Sequence, residues 1–161
     1  MMQDFAQWLA ATAVSHAIQR ALWLIPLLQA IHILAIAMVL SAAAMIGLNI
    51  LRTTRSQTMA ATTHRFVPWL WGGLAVLAAT GILLILGEPK RSLPNPAFQI
   101  KMVLLALAIA ATLAFQVSFR RAPARWDGAP RVGARAATVF TLVLWCAIAF
   151  AGRWIAYLQA I

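Results

Sequence analysis

Apolar positions in this chain come as long unbroken blocks, not as the alternating or one-sided patterns of half-buried elements. Residues 21–51, 66–87, 102–119 and 136–152 hold no charged side chain. About 20 such residues cross a hydrocarbon core roughly 30 Å thick as an α-helix. The first block exceeds one straight span, and Pro26 marks its start, because proline's missing N–H costs nothing in a first helical turn. The last block is short, but Arg153 can snorkel while Trp154 and Tyr157 sit at the interface. The predicted spans are therefore 26–51, 66–87, 101–119 and 136–158, with Trp23 anchoring the first. A membrane barrel would show period-two alternation, which is absent.

Breakers fall between the blocks. Pro89, Pro94 and Pro96 crowd the second connection, and Pro123, Gly128, Pro130 and Gly133 the third. With no internal repeat or linker, residues 1–161 read as one membrane domain. Residues 4–20 are too polar to span, holding Gln7, Ser15, His16 and Gln19, and lack the basic start of a secretory signal. They predict an N-terminal interfacial helix within residues 1–20, with Phe5, Trp8 and Leu9 dipping into the leaflet.

Composition agrees. Of 161 residues, 63% are hydrophobic and 10% charged, against roughly 25% charged in a soluble domain. The formal charge is +10, but the cations lie between apolar blocks and form no continuous basic face, which argues against nucleic acid as a partner. A lone Cys146 excludes a disulfide scaffold. The fold class is thus an all-α integral membrane protein, an antiparallel four-helix bundle in the lipid bilayer.

Positive charge sets the orientation. Arg52, Arg55, Arg65, Arg120, Arg121, Arg125, Arg131 and Arg135 occupy the first and third connections, against Arg20, Lys90, Arg91, Lys101 and Arg153 opposite. The positive-inside rule puts both termini outside a bacterial cytoplasmic (inner) membrane. Lipid gives apolar helices no reason to associate, so small residues must let them approach. Ala106, Ala110 and Ala114 supply one such face, Gly72, Ala75 and Ala79, next to Gly73 and Thr80, a second, and Trp145, Ala149 and Gly152 a third. Packing within the bundle is the plain reading of these faces; docking to another membrane subunit or a second copy is the other.

An ionisable group inside a span is costly and points to function. His32 lies six residues past Pro26, about 9 Å into the helix. Its face includes Leu28, Gln29, Ala35, Ile36, Val39, Ala43 and Gly47, leaving room for a flat group or another helix. Lys101 opens the third span and Arg153 ends the fourth at the same outer level, with His16 and Gln99 on that side. Two cations above a buried imidazole suit a metal centre with anionic arms, as in b-type haem: iron on His32 and propionates on Lys101 and Arg153. Gln29 could bond the ring or the ligand. The competing reading is a neutral His32 bonded to a neighbouring backbone carbonyl, with Lys101 and Arg153 snorkelling. His64 lies about 27 Å away at helical rise and reads as a solvated loop residue.

Other chemistries find less. Met38 and Met45 share a face about 120° from His32, which builds no copper site. The acids Asp4, Glu88 and Asp127 all lie outside the spans, so no hydrolytic pair and no intramembrane proton carrier is present.

The run WLIPLLQAIHILAIAMVLSAAA from Trp23, with NPAFQIKMVLLALA from Asn95 and AGRWIAYL from Ala151, resembles an uncharacterised bacterial family of small four-span membrane proteins with a W-L-Y-P element followed by histidine. Ser41 stands where that family favours glycine, and Gly47 near an expected acid. More distantly, His32 with Lys101 is similar to the copper-resistance D-type proteins and the J-type protoporphyrinogen oxidases. The latter likeness implies porphyrin redox chemistry, although that group's other histidines are missing. The leading expectation is haem or porphyrin binding for electron transfer or porphyrin handling, without stand-alone catalysis and with a redox partner. A permease-like subunit for a metal ion or small anion, and a structural subunit without ligand, are the alternatives.

Overall fold

The computed structural model describes residues 2–51, 58–122, 126 and 132–154. They form seven helices and no strand. α1 (Met2–Ala10) and α2 (Ala13–Arg20) precede α3 (Leu24–Leu51). α4 (Met59–Gly87), the short α5 (Pro89–Ser92), α6 (Pro96–Arg121) and α7 (Val132–Trp154) follow. α3, α4, α6 and α7 are long and apolar enough to cross a membrane. A helix does so with every backbone group satisfied within its own segment. The chain is a multi-pass all-α membrane protein.

Helix ends differ from the expected ones where capping outweighs hydropathy. α4 begins at Met59 instead of residue 66, because the Thr58 hydroxyl accepts from the Ala61 N–H at 3.2 Å. His64 is therefore an exposed helical residue, not a loop residue. α6 begins at Pro96 instead of 101, with Asn95 Oδ1 accepting from the Ala97 N–H at 2.9 Å and proline in the first turn. Lys101 thus stands more than a turn inside its helix. α7 starts at Val132, ahead of the expected 136. Its expected end at 158 with Tyr157, like Arg52, Arg55, Arg125 and Arg131, lies outside the described residues.

The single expected N-terminal helix is two. Thr12 breaks it, donating to the Leu9 carbonyl at 2.7 Å and accepting from the Ser15 N–H at 3.3 Å. The pair docks on the end of α4 and on α5. Ala6, Ser15 and Ile18 are buried there, while Phe5 and Trp8 stay exposed and stack at 5.8 Å. Gln19 Nε2 donates to the Gly87 carbonyl at 3.0 Å, satisfying one of the last carbonyls of α4.

The spans form two antiparallel hairpins, α3–α4 and α6–α7, joined mainly through α3 and α7. His32 with Thr80 near one end and Asn49 with Thr62 near the other define the first hairpin's register. Val39, Ala42, Leu70, Leu74, Ala108, Leu144, Trp145 and Ile148 form the central core. α4 and α6 scarcely approach each other.

Two of the three expected packing faces point outward. Ala106, Ala110 and Ala114 are exposed, and so are Gly72, Ala75 and Ala79. The buried sides of these helices carry Ala108 and Thr112 on α6 and Leu70, Gly73 and Leu74 on α4. Small residues permit close approach without dictating it, and the larger neighbours that fill the core decide the rotation. The α7 face is inward as expected, with Trp145 buried and Gly152 against α6.

Candidate functional site

His32 is carried by α3 on the side that meets α4. Its Nδ1 lies 2.7 Å from Thr80 Oγ1, and a β-carbon on Gly81 would stand 3.7 Å from its Cε1. Thr80 is buried, and its hydroxyl proton is directed at the Val76 carbonyl, 2.7 Å away. A threonine hydroxyl has one proton and two lone pairs. When that proton goes to the backbone, Thr80 accepts from the ring, Nδ1 carries the imidazole hydrogen and Nε2 keeps its lone pair. Among the described residues, Nε2 makes no hydrogen bond.

The α6–α7 hairpin brings the lysine to the same level. Lys101 Nζ lies 3.3 Å from where a β-carbon on Gly152 would stand. The missing side chain there is what admits the lysine. Arg153 follows Gly152, exposed at the end of α7. His32, Lys101 and the end of α7 therefore lie toward the same end of the bundle.

The other expected neighbours do not all join them. Gln29 is exposed one turn outward on α3. Gln99 Nε2 makes a long contact of 3.5 Å to the Leu93 carbonyl. His16 lines a separate groove with Gln19, Gly87, Glu88, Lys90 and Arg91, where Arg91 pairs with Glu88 at 3.1 Å. Among the described residues, no three His, Cys, Asp or Glu side chains gather into a metal cluster. Any metal here would rest on the single imidazole.

Sequence reading sets Thr80 beside the Gly72 packing face and misses it as the partner of the His32 ring. Its signal is the hairpin itself: folding two helices back about the 52–58 connection sets residue 80 opposite residue 32. A second space lies between α3, α6 and α7, nearer the 52–57 and 122–131 connections. It is a cavity of about 330 Å³ bounded by Gly47, Phe115, Trp126, Ala137 and Trp145 among others. No protein-family model, no curated protein and no solved structure matches this chain.

Proposed function

We propose that this chain is a haem-binding membrane protein in which His32 Nε2 ligates the iron and Lys101 and Arg153 bind the anionic arms. The observation that carries the reading is the relay from His32 Nδ1 through Thr80 to the Val76 carbonyl. A metal-ligating histidine donates its second ring N–H to an acceptor, which fixes the tautomer and orients the ring. Lys101 supplies positive charge beside the ring, as an anionic ligand requires. The slight contact between α4 and α6 favours entry of a flat group from that side. Bound haem supplies one-electron chemistry. The protein's residues orient it: Thr80 fixes the imidazole, the cations hold the outer edge, and Gln29 is one turn away for a polar contact.

On this reading the protein carries electrons or handles porphyrin, without catalysis of its own, for a redox partner or another membrane subunit. The likeness of His32 and Lys101 to J-type protoporphyrinogen oxidases supports the same assignment. We place the site in the outer half of a bacterial inner membrane, with both termini outside, on the distribution of Lys and Arg. The outward small-residue faces suit a second copy. Protein purified from haem-replete cells should show a Soret band that is lost in His32→Ala and kept in His64→Ala. A colourless preparation overturns the proposal.

The outer groove favours one further reading, a permease-like subunit for a small anion. Lys90 and Arg91 outnumber Glu88 there. Anion uptake that is lost in Lys90→Gln and indifferent to His32→Ala would select it.

A further inference from the structure

The space between α3, α6 and α7 is independent of His32. Among the residues that border it, Ile46, Ile50 and Leu70 are buried, whereas Ala114 and Ser118 on α6 and Ala137 and Phe140 on α7 are exposed. It is therefore a cleft, closed toward α3 and α4 and open on the side that α6 and α7 turn to lipid. Its volume is about 330 Å³, roughly ten times the volume share of one water. The hydroxyls of Thr112, Thr138 and Thr141 donate to carbonyls of their own helices at 2.7, 2.8 and 2.8 Å. The indole N–H of Trp145 is enclosed within the protein, out of reach of an occupant. Most of what remains is carbon, which loses dispersion contacts wherever nothing fills the gap. An alkyl chain entering from the lipid side restores them.

Charge decides which lipid. Arg121 stands three and seven residues after Ser118 and Ala114, and Arg135 three and seven before Thr138 and Leu142. Those spacings share a helix face, so each arginine extends a row of side chains that borders the cleft. Both are exposed, and among the described residues neither has an ion pair. The described acids, Asp4 and Glu88, belong to the opposite end of the bundle. Arg120 is the natural contrast, since it falls about 160° around α6 from Ser118. Basic pockets between spans recognise anionic lipid heads, and a guanidinium gives a phosphate charge-assisted bonds. A zwitterionic head would bring its own cation against the two arginines. Ser118, exposed between Ala114 and Arg121 along the helix, can donate to an ester oxygen.

We infer that this cleft binds one anionic phospholipid, with an acyl chain between α6 and α7 and the phosphate at Arg121 and Arg135. Binding here neither needs nor implies haem at His32. The test uses the full chain in a neutral detergent, titrated with dioleoylphosphatidylglycerol or dioleoylphosphatidylcholine and read by native mass spectrometry. A basic residue beside a lipid head is worth roughly fivefold, so the unmodified protein should prefer phosphatidylglycerol by about 10–30-fold. The Arg121→Gln, Arg135→Gln double variant should lose most of that preference. The Arg65→Gln, Arg120→Gln pair removes as much charge from the same end, off the cleft, and should keep the preference within about threefold. Ala137→Leu and Ala111→Leu, each checked for helicity, should weaken phosphatidylglycerol by about fivefold or more by filling the chain's place. Equal binding of the two lipids overturns the inference, as does an equal loss in both arginine pairs. So does unchanged binding in a folded leucine variant, or displacement of the lipid by excess glycerol phosphate, which would make this a site for free phosphate. If neither leucine variant folds, the comparison of the two arginine pairs decides.

Discussion

Gly73 meets Val39 so closely that a β-carbon on the glycine would stand 2.6 Å from Val39 Cγ2, with Met38 Cε at 3.0 Å. This contact sets how near α3 and α4 approach, and hence the distance at which Thr80 reaches His32. Valine is stiff at χ1 and cannot swing away as a longer chain could. Gly73→Ala should destabilise the hairpin by ~1–3 kcal/mol, read as earlier unfolding in a denaturant titration in mixed micelles. Gly72 is its control, because a β-carbon there meets nothing within 4 Å. Gly72→Ala should stay within about 0.5 kcal/mol of the parent.

Thr80→Val keeps the shape of the side chain and removes the acceptor for the His32 ring. If the ring ligates iron, haem affinity should fall by about 10–100-fold, while Thr80→Ser should restore most of it. Titration with haem, followed at the Soret band, separates the three proteins. Equal affinities would show that the Thr80 contact orients nothing.

Lys101 reaches its level because Gly152 leaves space for it. Lys101→Gln should weaken haem binding by about tenfold or more, the value of a charged hydrogen bond. It should leave binding of haem dimethyl ester unchanged, since the ester has no anionic arms. Gly152→Val should act in the same direction by displacing the ammonium. A Lys101 variant that loses both ligands equally would assign the lysine to packing.

Gln19 ties the N-terminal helices to the bundle by donating both to Ser15 Oγ at 3.1 Å and to the Gly87 carbonyl at 3.0 Å. Gln19→Ala should loosen that attachment by about 1 kcal/mol. Hydrogen exchange in α1 and α2 should quicken about fivefold while the core of α3 holds its protection.

Orientation is tested with cysteine in a Cys146→Ser background. Ser92→Cys should react with an impermeant maleimide added outside intact cells, and Arg135→Cys only after lysis. The reverse pattern would invert the proposed topology and move His32 to the inner half.

The four spans were legible because blocks without charge have few alternatives to crossing a bilayer. The ends of α4 and α6 were less so. Thr58 and Asn95 cap them beyond the apolar stretch, and polar first turns hide from hydropathy. The rotation of α4 and α6 was not legible. Alanine and glycine lie on both sides of each helix, so a Gly72 face and a Gly73 face look alike in sequence while one points out and the other meets Val39. His32, Lys101 and Arg153 could be set at one end from topology alone. The partner of the ring could not, because Thr80 depends on a register that chain connectivity leaves loose by a turn.

The clasp between Gln19 and the Gly87 carbonyl spans 68 positions in the chain. α1 and α2 are thus made well before the carbonyl they are fastened to. Until α4 has been synthesised to its end that anchor does not exist, and this end of the bundle is completed from a segment held in waiting.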